Sequence, residues 1–294
     1  MRRLLALALL LPGLVGCSPA GLVNALAPRD GYTLLAGLAY GAGPRRKLDL
    51  YLPAAPGPAP VVVFFYGGSW QAGARADFRF VGQALAARGY VVAIPDYRLY
   101  PEVEIGPILE DSAAAVAWVV EHGAAAAGRA FGPLFLVGHS AGAYNAVMLT
   151  LDRRWLGRLG HTPCGTLRGT VGIAGPYDFL PLRNPQLMAI FGPEPERPRT
   201  QPITWARGDA PPLLLITGDA DLTVSPRNSS ALAARIVEAG GEASVVRYAG
   251  VGHLTVLGAL AHGLRWYAPV LDDVDAWLRR QAERSSSTCR DPDR

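Results

Sequence analysis

Charge is scarce in this chain. Only 18% of its 294 residues are Asp, Glu, Lys or Arg, against 50% hydrophobic, so a disordered polyelectrolyte is excluded and there is ample material for a large core. Basic residues exceed acidic ones by only four, and the clusters Arg45-Arg46-Lys47 and Arg279-Arg280 are short and poor in neighbouring aromatics, so no nucleic-acid surface is expected. Cysteine is rarer still, with three in the whole chain, and no Cys/His spacing of a zinc site or G-x-G-x-x-G loop of a nucleotide site is present, so no metal or other cofactor is expected. The 34 glycines and 25 prolines follow no period, which excludes a repeat or collagen architecture.

The N-terminus does have an order. Met1-Arg2-Arg3 precedes residues 4–15, which carry no charge. That is the short apolar region of an export signal behind a basic start, well below the about 20 residues of a spanning helix. Leu14-Val15-Gly16-Cys17 resembles the lipobox of bacterial lipoproteins. The resemblance implies that residues 1–16 are removed and that Cys17 is lipidated and becomes the first residue; the alternative is an ordinary cleaved signal. Ser18 in place of Asp implies the periplasmic face of the outer membrane, with residues 17–30 as a tether. Cys164 and Cys289 then remain, and both a disulfide and two free thiols are open.

Short β-branched runs alternate with Ala-rich stretches of helical length, the pattern of an α/β fold with a mostly parallel sheet. Strands are expected at 34–40, 47–52, 61–66, 90–94, 134–137, 171–174, 213–217 and 243–248. Helices are expected at 74–88, 105–122, 143–151, 226–239 and 267–280. The folded domain is expected over 31–282, with an irregular Pro-rich cap at about 179–211 and a disordered tail at 283–294.

Gly138-His139-Ser140-Ala141-Gly142 fits G-x-S-x-G. In so glycine-rich a chain the pattern is weak alone, but here it joins an expected strand to an expected helix, the setting of a nucleophile elbow. From about residue 40 to 278 the chain resembles an α/β-hydrolase of the carboxylesterase type, closest to feruloyl-esterase-like and kynurenine-formamidase-like branches. Tyr66-Gly67-Gly68-Ser69-Trp70 stands where such esterases carry an HGG-type oxyanion loop, which implies the backbone amides of Gly68, Ser69 and Ala141 as donors to a tetrahedral intermediate. Tyr66 replaces the usual His, and its hydroxyl is available to brace the loop.

The resemblance places the acid after the 213–217 strand, in Gly218-Asp219-Ala220-Asp221-Leu222-Thr223-Val224, where the G-x-x-D-x-x-V register selects Asp221 and leaves Asp219 as the alternative. His253, in Gly250-Val251-Gly252-His253, stands where the family carries its base; His122, His139, His161 and His262 have bland readings as a helix end, a variable elbow position and two positions outside the expected loop. Asp96-Tyr97-Arg98 is implied to be structural, a buried ion pair under the oxyanion strand.

The implied chemistry is attack by Ser140 on an acyl carbon, with His253 as base, Asp221 orienting it, and water completing the cycle without a cofactor. The substrate is expected to be a small or medium ester, bound among Trp70, Phe179 and Trp205. An aryl-formamidase or other amidase on the same triad, and a catalytically silent envelope binding protein, are the alternatives. The oligomeric state is open.

Overall fold

The structure, a computed structural model, describes residues 19–284 and Cys289. Cys17, the export segment and most of the expected tail lie outside the described residues. Helix α1 (Pro19–Leu26) opens the chain where a tether was expected. It is fastened to the domain through Asn24, whose side chain donates to the Ala76 carbonyl and accepts from the Phe80 amide, the latter at 3.0 Å.

Eight strands follow: β1 (Tyr32–Ala39), β2 (Lys47–Pro53), β3 (Ala59–Phe65), β4 (Val91–Pro95), β5 (Phe131–His139), β6 (Leu167–Ile173), β7 (Leu213–Gly218) and β8 (Ala243–Tyr248). They make one sheet in the order β1-β2-β4-β3-β5-β6-β7-β8. The first two pairings, β1 with β2 and β2 with β4, are antiparallel, and all others are parallel. The inner parallel strands are covered on both faces, and β3, Ala-Pro-Val-Val-Val-Phe-Phe, is apolar at each position for that reason.

The covering helices are α2 (Arg79–Ala86), α3 (Ile105–Trp118), α4 (Ala124–Ala127), α5 (Ala141–Leu151), α6 (Arg154–Gly157), α7 (Pro163–Thr166), α8 (Pro185–Ile190), α9 (Arg227–Glu238), α10 (His253–Gly258) and α11 (Val270–Glu283). Two expected helices begin later than the pattern implied. A single 3-10 turn at Arg75–Phe78 precedes α2, and Pro269, which has no amide to donate, stands immediately before α11. The helix after Glu104 passes through a π-helical turn at Val119–Gly123 before α4. The expected cap is mainly irregular, with α8 and 3-10 turns at Glu194–Thr200 and Pro202–Trp205. Cys164 and Cys289 form a disulfide. Among the described residues no helix is long and apolar enough to cross a membrane.

Candidate active site

β5 ends at His139 and α5 begins at Ala141, so Ser140 alone makes the turn between them, at φ 54° and ψ −123°. A non-glycine residue held there stores about 1 to 3 kcal/mol of backbone strain, which the packing around it must offset. The motif glycines allow that packing. A Cβ on Gly142 would lie 2.0 Å from the Phe65 carbonyl oxygen, and one on Gly138 would lie 2.3 Å from that of Gly142, so any side chain would drive α5 off the sheet. Ser140 donates its amide to the Ile173 carbonyl on β6 at 2.9 Å, which ties the elbow to the neighbouring strand.

Two loops at the same sheet edge bring the other groups to Ser140. His253 Nε2 lies 2.9 Å from Ser140 Oγ, and His253 Nδ1 lies 2.8 Å from Asp221 Oδ2. Asp221 is 5% exposed, and its other oxygen, Oδ1, accepts the amides of Thr223 and Val224 at 2.9 and 2.8 Å. With Oδ1 occupied by these two amides, Oδ2 is the oxygen left to orient the imidazole. Asp219 is exposed and accepts the Gly250 amide at 2.6 Å, bracing the loop before His253 without touching the ring. The histidine expected in a loop is the first residue of α10.

Gly68, Ser69 and Trp70 run through φ values of 136°, 53° and 60°, a strained loop folded back on itself by bonds from the Gln71 and Ala72 amides to the Gly68 carbonyl, both 3.0 Å. Ser69 and Ala141 line the same cavity as Ser140, whereas Gly68 does not. Tyr66 anchors this loop from below. Its hydroxyl donates to Asp96 Oδ1 at 2.9 Å and accepts from Arg45 Nη2 at 2.9 Å, and its ring stacks between Phe78 and Tyr97 at 5.1 and 4.8 Å. Burial, then the neighbouring Tyr97 and Asp96, hold its phenol far above the ordinary range, so it stays protonated. Asp96 pairs with Arg75, not with Arg98, whose guanidinium makes a two-pronged bond to the buried Asp111.

The cavity beside Ser140 holds about 500 Å³ and is walled by Trp70, Phe179, Leu180, Pro181, Leu182 and Leu187. Trp70 is held in place by its indole N–H, which donates to Asn145 Oδ1 at 3.0 Å. Trp205, expected in this pocket, is elsewhere: the Arg154 guanidinium lies 4.3 Å over its ring and its N–H is committed to the Arg199 carbonyl. Its place in the sequence put it in the cap, but the turn that carries it packs against α5 and Trp205 does not line the cavity beside Ser140. Among the described residues no group of three His, Cys, Asp or Glu side chains is arranged to hold a metal ion.

His139, expected only as the variable position of the elbow, packs directly against the base. His139 is 3% exposed, its Nε2 lies 3.0 Å from the His253 carbonyl oxygen, and its ring centroid is 4.9 Å from that of His253. Burial, then the adjacent His253, push its pKa down to about 3. Its partner is 114 residues away, so no local pattern announces it.

A hydroxyl, an imidazole and a carboxylate in relay at a strand-to-helix elbow, on an eight-stranded mostly parallel sheet, define the α/β-hydrolase class. Within it, the chain belongs to the BD-FAE family, whose pattern matches residues 48–236, well over half of its length. It is 30% identical over 237 residues to the isoprenylcysteine alpha-carbonyl methylesterase ICME of Arabidopsis thaliana, which covers 74% of this chain and 55% of that protein. The chain thus spans just over half the length of this curated relative. A kynurenine formamidase of Danio rerio is 30% identical over 144 residues, 49% of this chain and 46% of the relative. A truncated form of a carbohydrate esterase from gut microbiota shares the fold, with a TM-score of 0.75 and 21% identity over 88% of this chain and 99% of that structure.

Proposed function

We propose that this protein is a serine hydrolase that cleaves small or medium carboxylic esters through an acyl-enzyme on Ser140. The reading is carried by the unbroken relay from Ser140 Oγ to His253 and on to Asp221, at 2.9 and 2.8 Å, with the nucleophile on a strained turn. His253 takes the Ser140 proton at Nε2 as Oγ attacks the acyl carbon, and Asp221 holds the Nδ1–H tautomer and stabilises the imidazolium. Charge gathers on the former carbonyl oxygen, and the amides of Ser69 and Ala141, with Gly68 behind them, are the donors aimed at it. His253 returns the proton to the leaving group, then activates a water that releases the acid. Trp70 and Phe179 contribute to the apolar wall for the acyl or aryl part of the substrate. The methylesterase and formamidase relatives share this type of acyl-transfer chemistry, and the kynurenine formamidase match favours an aryl-formamide as the second substrate reading.

Turnover of p-nitrophenyl acetate and butyrate that disappears in Ser140→Ala is the expected result. A folded protein that turns over only an N-formyl aromatic amide would transfer the reading to the formamidase, and failure of a fluorophosphonate probe to label Ser140 would leave a silent binder. We further propose that Cys17 carries the lipid that holds the protein at the periplasmic face of the outer membrane. The lipobox-like residues before it and the oxidising compartment in which disulfides such as Cys164–Cys289 persist support this reading. Metabolic labelling with a radioactive fatty acid that is lost in Cys17→Ser is the expected outcome; equal labelling of both proteins would remove the anchor from Cys17.

A further inference from the structure

His139 stands between the glycine and the serine of the elbow and has no part in the proton relay, yet it adjoins both the Gly67 loop and the backbone of the base. Its Nε2 faces the His253 carbonyl oxygen at 3.0 Å, and a Cβ on Gly67 would lie 3.1 Å from its Nδ1. The ring therefore fills the space between the oxyanion loop and the first residue of α10. The geometry points to His139 as a positioning residue, whose Nε2–H bond to the backbone of His253 holds the base in register with Ser140.

A carbonyl oxygen only accepts, so Nε2 must carry the hydrogen and the ring has a single competent tautomer, with Nδ1 bare toward Gly67. The titratable groups that act on this ring are His253 and Asp221; burial and the charge His253 acquires in turnover both disfavour a second proton on it. His139 is thus a donor that does not switch while its neighbour does. Besides a backbone bond from the Ala220 amide to the Val251 carbonyl, the other side-chain ties to this loop's backbone are exposed. Gly250 is held by Asp219 and Gly252 by Thr255 Oγ1, both at the surface and both on residues before the base. His139 supplies a buried tie on the base's own backbone, and a small displacement of a base from its nucleophile costs about 10- to 100-fold in rate.

The inference rests on the ester-hydrolase reading, and its test separates the two. A glutamine amide reaches the position of imidazole Nε2, whereas an asparagine amide reaches only that of Nδ1. With Ser140 sites counted by fluorophosphonate labelling, His139→Asn is expected to lower kcat about 10- to 100-fold with KM within about twofold, and His139→Gln to recover to within about threefold of wild type. Wild-type kcat in the Asn variant, or a Gln variant as slow as the Asn one, would overturn the role. In the wild-type protein, nitrogen-15 imidazole spectra are expected to show His139 as the Nε2–H tautomer with no titration between about pH 5 and 8. A proton on Nδ1, or a titrating ring, overturns the role whatever the variants do. Wild-type protein that cleaves no ester would instead overturn the ester-hydrolase reading, and the spectra would still decide the state of His139.

Discussion

At the scale of single residues the two aspartates of the acid loop have separate tasks. Asp221 is buried and bonded to His253, while Asp219 is exposed and bonded only to a loop amide. Asp221→Asn presents the imidazole with the wrong partner for its tautomer and is expected to lower kcat by about 10⁴. Asp219→Asn keeps an oxygen for the Gly250 amide and is expected to stay within a few-fold; steady-state kinetics of the two variants checks the assignment, and the reverse ranking would exchange their roles. Register in the acid loop was readable because its turn residues are contiguous. His139 was not readable, because its meaning lies in a backbone atom of a residue 114 positions away. Its state has a consequence for stability. With the folded pKa lowered to about 3 from an ordinary 6.5, the unfolded chain binds a proton that the folded chain refuses at any pH between the two. Stability from this residue is complete above the ordinary value and declines as pH falls toward the folded one, by up to about 1.4 kcal/mol per pH unit. Denaturant melts at high and low pH are expected to show wild type losing ground to His139→Gln on acidification; parallel losses would mean that His139 is not buried as a neutral ring.

At the scale of elements, the oxyanion loop depends on what lies beneath it. Tyr66 directly follows β3, and its hydroxyl joins Asp96 to Arg45, which also bonds the Gly73 carbonyl at 2.7 Å and so closes the far end of the loop. Tyr66→Phe keeps the stack on Phe78 and Tyr97 but strips a buried hydroxyl from Asp96 and Arg45, at an expected cost of about 1 to 3 kcal/mol. Because the loop carries the Ser69 amide proposed as an oxyanion donor, kcat is expected to fall with it while KM changes little. Thermal unfolding and initial rates on one preparation test both arms, and a Phe variant with unchanged stability would remove Tyr66 from the brace. The inner strands β3 and β4 were legible because burial on both faces demands unbroken apolar runs, which few other structures produce. Short elements were not: α10 has six residues, and α1 reads as a tether until Asn24 is seen bonding to Phe80. Elements of one or two turns are set by tertiary partners more than by their own periodicity. Likewise the ion pair expected from Asp96-Tyr97-Arg98 is two pairs, since Asp96 turns to Arg75 and Arg98 to Asp111.

At the scale of the whole molecule, the two ends of the parallel sheet have different work. The carboxyl ends of β3, β5, β7 and β8 lead into the segments that hold the proposed oxyanion donors, Ser140, Asp221 and His253, so the candidate chemistry is gathered at one end of the sheet. The Cys164–Cys289 disulfide is at the other, since Cys164 belongs to α7, immediately before β6 begins. It joins residues 125 positions apart, and in the chain-entropy account closing so long a loop stabilises the fold by at most about 5 kcal/mol. That effect acts mainly on the unfolded chain, which a link between distant residues restrains, and makes no demand on the site. Reduction is therefore expected to lower the melting temperature by several degrees while kcat and KM measured well below the transition stay at their oxidised values. The same result is expected from Cys164→Ser with Cys289→Ser, which excludes effects of the reductant itself. Loss of kcat in step with loss of the disulfide would mean that the two ends are mechanically coupled through β6, whose far end accepts the Ser140 amide at the Ile173 carbonyl.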